Sequence, residues 1–415
     1  MKKLLILGGI ALSREIIEQA RRMGIHVDVT DYLADSPAKP FADNSFMVSA
    51  TDVDAVVKLI EDEKVDGILT GYVDLLLPYY VRICEKAGLP CYATEEQIAA
   101  TTDKFRFKSL CRNHSVSVVE EYGYEEVMSG SVRYPLLVKP VDNSGARGVF
   151  ICRNEEEFVE RYAQALAYSS SGRVLIERYV NGKESTIFYF FHKGKAYLMG
   201  VGDRIMLRFN QNKLPLPVGY VFPSASLPEF ESRTDGRLRE MFRSIGINEG
   251  MAFIQSFVED GEYVIYEMGY RLTGSLEHHL IAHATGFNPM ETMVNFAVGN
   301  EIDDAAFNLI DPQKGALANV TLLLTPGVIE EYRGLDDVRS LDGVLHVFTS
   351  YPVGTEIREN VVGTLAQVAV RVLLTADNRR GLIEKMDRVK ELIQVIDACG
   401  KDMLIKDYAY SDLIN

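Results

Sequence analysis

The chain has no Cys-x-x-Cys pair, no Gly-Lys-Ser/Thr loop opening a helix, no apolar run long enough to span a bilayer and no excess of basic residues. Each gap removes a class of function. Its five cysteines (Cys84, Cys91, Cys111, Cys152, Cys399) are odd in number and widely spaced, which suits a reducing cytoplasm better than a disulfide framework. A formal charge of −15 leaves little basic surface for a polyanion, so nucleic acid is not an expected partner. Nucleotides stay open, because a few local cations and Mg²⁺ can dominate a pocket. The opening MKKLLILGGIAL imitates a signal peptide. Its apolar run stops at Ser13-Arg14-Glu15 without a small-x-small cleavage site, so it reads as a first buried strand. A cytoplasmic protein with no membrane partner is expected.

What is present is ordinary for a soluble globular protein: 47% hydrophobic and 25% charged residues over 415 positions. That length holds about two to four domains. Residues 3–92 alternate strands and helices: KLLILG, a helix over 13–23 ended by Gly24, HVDVTDY, a helix over 52–63, VDGILTG, a helix over 74–87 and LPCYA. Such units predict an open parallel sheet covered by helices, Rossmann-like in form. Gly8-Gly9 lacks the remaining glycine of a dinucleotide fingerprint, so a tight strand-to-helix turn is expected there and not NAD. From about residue 94 the pattern changes. Helices near 95–100 and 103–113, a strand over 116–119 and a helix over 154–167 precede β segments at 173–177, 185–191, 195–201, 203–208, 252–258 and 262–268, which predict a mostly antiparallel sheet. After Asp311-Pro312, β segments at 317–324 and 343–349 and a helix over 378–397 form a last α+β unit. The expected boundaries are 1–94, 95–311 (with a lid lobe near 115–180) and 312–415.

The most informative stretch is YPLLVKPVDNSGARGV, residues 134–149. A short apolar strand delivers Lys139, and a loop with Ser144, Gly145 and Gly148 follows. Small residues let backbone N–H groups turn toward an anion, while a lysine on a rigid strand supplies a fixed charge. Read alone, this is also an ordinary strand–turn with a solvated lysine.

Taken in order, however, the features resemble the ATP-grasp superfamily, and within it the group of biotin carboxylase and the carbamoyl phosphate synthase large chain. TTDKFRFK (101–108) is similar to the start of that family's ATP-binding unit, with Lys104 the phosphate lysine. VKPVDNSGARG matches its second lysine, Lys139, and its glycine-rich lid. VLIERYVNGKES (174–185) matches the hinge. The resemblance places Glu177 and the backbone of Arg178, Tyr179 and Val180 at the adenine edge, and Glu184 at the ribose hydroxyls. MAFIQSFVEDGEYVIYEMGYRLTGS (251–275) resembles the strand–turn–strand ending in Glu-x-Asn-x-Arg. Glu267 then bridges Mg²⁺, Gln255 is a further metal ligand, and Arg271 is the arginine.

A three-residue turn at Glu259-Asp260-Gly261 puts Phe253 opposite Glu267, with Gln255 and Glu267 on one sheet face. A two-residue turn puts them on opposite faces. Gly269 stands where the family has asparagine, so that metal contact is absent. GSLEHHLIAHATGFNP (274–289) is similar to biotin carboxylase's Glu-His-Pro stretch, offset by two residues, which makes Glu277 and Arg271 candidates for the acceptor carboxylate. Arg204, in VGDRIMLR, is the candidate cation near the transferred phosphate. His279 and His283 lie four apart on an expected helix. With no third spaced ligand, packing or polar contacts are expected of them and not zinc.

The resemblance implies an ADP-forming, ATP-dependent carboxylate–amine ligase using Mg²⁺ (one or two ions, Mn²⁺ being admissible) and an acyl phosphate intermediate. Its substrates are a small carboxylate or bicarbonate and an amine. A bicarbonate-phosphorylating enzyme is the nearest alternative, and a non-catalytic nucleotide-binding regulator belongs to another class. Apolar N- and C-terminal units leave room for a homodimer.

Overall fold

The first strand, KLLIL, is apolar at successive positions and therefore buried on both faces, as a central parallel strand requires. In the computed structural model, which describes residues 1–142, 148–208 and 214–414, it lies inside a parallel sheet. The order across that sheet is Asn44–Phe46, His26–Thr30, Lys3–Leu7, Gly67–Leu69. LPCYA is no strand; the fourth strand is the short Asn44–Phe46, whose polar sequence hides it. Gly67 is required by packing: a Cβ there would meet the Ala297 carbonyl at 1.9 Å, where helix Pro289–Ala297 crosses. That contact helps join the N-terminal sheet and the central unit into one hydrophobic core, which runs from Leu4 to Leu373.

The centre is an eight-stranded antiparallel sheet. Its order is Glu262–Gly269, Gly250–Glu259, Lys183–His192, Lys195–Leu207, Leu216–Phe222, Ala316–Leu323, Val368–Ala376 and Val344–Thr349. Two expected segments, 195–201 and 203–208, are one strand. Gly202 does not break it but admits the Phe222 ring, which a Cβ would meet at 2.5 Å. The pairing of Leu216–Phe222 with Ala316–Leu323 carries this sheet across position 312, so the last unit shares it. Residues 116–119 contribute only the isolated pairing of Val118 with Ile265. The helix expected over 378–397 stops at Leu392, and Gln394–Asp397 is a strand, in keeping with the β-branched Ile393, Val395 and Ile396.

The lid lobe is a separate three-stranded sheet (Phe150–Cys152, Leu136–Pro140, Val174–Arg178) under helix Glu155–Tyr168, with its own small core of Leu136, Val138, Phe158 and Ile176. Among the described residues no helix is long and apolar enough to cross a membrane.

Candidate active site

A cleft of about 760 Å³ opens between the lid lobe and the large sheet and reaches Tyr72 and Asp74 of the N-terminal unit. Eleven of the candidate residues line it: Lys104, Lys139, Glu177, Arg178, Tyr179, Val180, Glu184, Arg204, Gln255, Glu267 and Arg271. Ser144 and Gly145 lie outside the described residues. Gly148, at the lid's end, has φ +73°, and a Cβ there would strike Tyr168 at 2.7 Å.

Lys104 opens helix Lys104–Asn113, whose preceding residue, Asp103, accepts from the amides of Phe105 and Arg106. That cap aims the lysine into the cleft. Its Nζ donates to the Val141 carbonyl (3.4 Å) and lies 3.7 Å from Glu267 Oε1. Lys139, on strand Leu136–Pro140, pairs with Glu177 Oε2 at 2.7 Å. The other Glu177 oxygen takes Lys108, a fully buried lysine that also donates to the Val119 carbonyl (2.9 Å). Lys108 escaped the sequence reading, although it sits one helical turn beyond Lys104. Burial pushes the Lys108 ammonium down to about 8, with Lys139 adding to the fall and Glu177 opposing it. Burial also works to raise the Glu177 carboxyl, but the two lysines outweigh it and hold it below its ordinary value. Glu177 is thus occupied by two lysines, and its expected contact with adenine would require one of them to yield. At the hinge the Arg178 guanidinium leaves to pair with Glu259 (3.1 and 2.6 Å). The amides of Arg178 and Tyr179 donate to Glu120 and Pro135. Of the three hinge amides only that of Val180 has no partner among the described residues.

Between the strands that carry Gln255 and Glu267 the turn is the two-residue one: Glu259 pairs with Glu262 across Asp260-Gly261, both at positive φ. On turn length alone Gln255 and Glu267 would face apart. A β-bulge makes up the missing residue. Ser256 pairs with Ile265, Tyr266 is the extra residue, and Gln255 stands directly opposite Glu267. Phe253 consequently faces Gly269 instead of Glu267, and its ring fills the space there: a Cβ on Gly269 would lie 2.3 Å from it.

Arg204 pairs with Glu184 (2.5 Å) and donates to Tyr266, whose hydroxyl also donates to Glu184 (2.9 Å). The Arg271 guanidinium makes a two-pronged pair with Asp74 (2.6 and 2.6 Å), so its fork is engaged by a carboxylate of the N-terminal unit. Glu277 is not on the main cleft. It lies behind Ser275, fully buried, and neither oxygen has a hydrogen-bond partner among the described residues. Burial pushes its carboxyl up to about 7, tempered by Ser275 and by the Arg371 and Arg204 cations. Arg371, also missed, reaches the cleft from strand Val368–Ala376 and donates to Thr321 (2.9 Å). A single arginine in an otherwise apolar strand, VAVRVLLTA, was its available signal.

Residues 103–305 match the family described as carbamoyl-phosphate synthase L chain, ATP binding domain. The chain carries an ATP-grasp domain. Among curated proteins, the formate-dependent phosphoribosylglycinamide formyltransferase of Solidesulfovibrio magneticus is 28% identical over 212 residues, covering 49% of this chain and 54% of that protein. The chain thus spans about half the length of such relatives. Among solved structures, L-amino acid ligase from Bacillus licheniformis superposes with a TM-score of 0.79 at 19% identity, covering 96% of this chain and 99% of that one. The biotin carboxylase domain of Hydrogenobacter thermophilus 2-oxoglutarate carboxylase, solved with MgADP, ADP and bicarbonate, gives 0.77 at 21% identity, covering 95% and 90%. With these solved structures the fold is shared over nearly the whole chain.

Proposed function

We propose that the protein is an ATP-dependent carboxylate–amine ligase that forms ADP by way of an acyl phosphate. The observation carrying this reading is the convergence of Lys104, Lys139 and Glu267, far apart in sequence, on one cleft that also holds Arg204, Arg271 and Arg371. In this reading Lys104 and Lys139 hold the phosphates, the Arg178–Val180 backbone receives the base, Glu184 the ribose, and Ser144, Gly145 and Gly148 close over the triphosphate. Gln255 and Glu267 present oxygen donors on one face, which fits one Mg²⁺ with water and phosphate completing its shell; when bound, the ion neutralises phosphate charge. Mn²⁺, which shares the oxygen preference, is an admissible substitute. Phe253, filling the place of a third side-chain ligand, favours one tightly held ion over two.

Phosphoryl transfer asks the protein mainly for in-line positioning and fixed charge. Arg204 and Arg371 supply the charge. Arg271 orients the acceptor carboxylate once Asp74 gives way, and lid closure keeps water from the acyl phosphate. The relatives' names, among them a formyltransferase and an amino acid ligase, support a small carboxylate as acceptor. A bicarbonate acceptor is the second reading, favoured by Glu277 lying buried within the field of Arg371 and Arg204.

The test is phosphate release from ATP and Mg²⁺ across panels of amino acids, other small carboxylates with amines, and bicarbonate. Release dependent on a carboxylate–amine pair is the expected result, and release with bicarbonate alone selects the second reading. Tight ATP binding with no turnover on any acceptor overturns both and makes the protein a nucleotide-binding regulator. Lys139→Ala should weaken ATP binding roughly 10- to 100-fold, the worth of a charge-assisted contact. Glu267→Ala should chiefly lower kcat, by about 100-fold or more.

A further inference from the structure

Away from the phosphate ligands, three histidines and a glutamate from three distant segments meet. Glu15 is on helix Ser13–Arg22, His278 and His279 are on helix Glu277–Thr285, and His346 is on the sheet-edge strand Val344–Thr349. Glu15 Oε2 lies 2.8 Å from His279 Nε2, and Oε1 lies 3.0 Å from His346 Nε2. The donor atoms of Glu15, His278 and His279 are all within 4.8 Å of one another. The His278 and His279 rings have centroids 4.2 Å apart, as do those of His279 and His346. His283, one turn beyond His279, is not among them.

We propose that these residues form a binding site for a transition-metal dication, Zn²⁺ by preference, with Glu15, His278 and His279 as ligands and His346 or water completing the set. Imidazole nitrogen with one carboxylate oxygen is the donor chemistry of zinc and not of Mg²⁺. Ligand atoms on a tetrahedral zinc with bonds near 2.0 Å stand roughly 3.3 Å apart, so spreading the present 2.8 and 3.0 Å contacts by a few tenths of an ångström admits the ion.

Three imidazoles in ring contact around one carboxylate are poorly served by hydrogen bonds alone. Glu15 has only two oxygens, and each is already given to a separate ring. With the cation on one ring nitrogen, each ligating imidazole is neutral and keeps its single proton on the other nitrogen, and any proton beyond that goes to solvent. A route exists, since the His279 and His346 side chains are 22% exposed while that of Glu15 is 2% exposed.

The ion clamps the first helix of the N-terminal sheet to the helix that begins at Glu277 and to the outermost strand of the large sheet. Leu12, just before the first of these helices, lines the ATP cleft, as does Tyr72, whose buried hydroxyl is without a hydrogen-bond partner among the described residues and lies in the field of Glu15. The site therefore stiffens one wall of the cleft without touching the nucleotide.

The test uses the full-length, untagged protein, stripped by a chelator and titrated with Co²⁺ while visible absorption is followed. One equivalent should develop the ligand-field band of a four- or five-coordinate nitrogen–oxygen site, unaffected by millimolar Mg²⁺ or by Glu267→Ala. Glu15→Gln and His279→Asn, each checked for fold by circular dichroism, should weaken Co²⁺ binding by more than the roughly 10- to 100-fold that loss of an outer-shell partner costs. Zn²⁺ should raise the Tm of the stripped wild type. Absence of a band in wild type overturns the proposal whatever the variants do. So does a band that Mg²⁺ abolishes, or one that persists unchanged in both variants. None of these outcomes bears on ligase activity, so the two proposals stand or fall separately.

Discussion

Two glutamates a hundred residues apart are both removed from water, and they could hardly be treated more differently. Glu177 is gripped by Lys108 and Lys139, which hold it ionised. Glu277 has no hydrogen-bond partner among the described residues and is pushed up to about 7. The first belongs to a closed network that fixes Lys139 in place. The second is a polar group left unmet beside Arg371 and Arg204. A buried ion pair is costly to form but costlier to break, whereas an unpaired buried carboxyl can escape its cost by taking up a proton.

The sharpest way to break this contrast is to neutralise each in turn. Glu177→Gln should lower stability by about 3–5 kcal/mol in urea unfolding, because it strands two lysine charges in the interior. Glu277→Gln should leave stability near pH 4 almost unchanged, since the acid is then mostly neutral in the folded and the unfolded chain alike, and should make the protein more stable than wild type as pH rises. Similar losses in the two variants would show that the two environments do not differ as described.

The pH dependence sharpens the same point. Glu277 titrates near 7 when folded and near its ordinary 4.5 when unfolded. Between those values the unfolded chain has released its proton and the folded one has not, so this group's contribution to stability is lost as pH rises from about 4.5 to 7. The shift corresponds to roughly 3 kcal/mol. Comparing wild type with Glu277→Gln across pH 5 to 8 should show the wild type falling relative to the variant by an amount of that order. Parallel curves would place the carboxyl in contact with water.

The same contrast explains what could be read from the sequence. Apolar strands such as KLLIL and the lysine strand LLVKP declared themselves, because burial on both faces leaves a continuous hydrophobic signature. The mixed α/β architecture and the candidates Lys104, Lys139 and Glu267 followed from that signature and from motif order. Lys108 did not, since a charged residue inside a helix gives no local sign that its partner is Glu177. Asp74 was equally silent: its meeting with Arg271 spans nearly 200 positions. Register was hardest. Asp260-Gly261 specifies a two-residue turn, yet the bulge at Tyr266 reverses the consequence, and nothing near that tyrosine announces it.

Gly269 and the Phe253 ring against it offer an intermediate test. Gly269→Asn, the residue of the family pattern, should destabilise by about 1–3 kcal/mol, because its side chain enters space held by the Phe253 ring. Adding Phe253→Ala should recover part of that loss and make turnover less demanding of Mg²⁺ concentration. If the single variant is as stable as wild type, the ring yields readily and the one-ion reading loses its support.

The smallest expected effect concerns the pair Asp74 and Arg271, which lines the cleft. Asp74 and Arg271 are partly exposed, with side chains 26% and 13% accessible, so screening limits what their contact contributes. Asp74→Asn should change stability by no more than about 1 kcal/mol. Its effect on binding should be larger than its effect on folding. A carboxylate substrate must compete with Asp74 for the same guanidinium fork, so removing the competitor should lower KM for that substrate while kcat changes little. A raised KM would mean that Asp74 holds the substrate's amine, or holds Arg271 in its working position. Because one arginine faces either a protein carboxylate or a substrate one, the sign of that KM shift decides whether the pair is a gate or a scaffold.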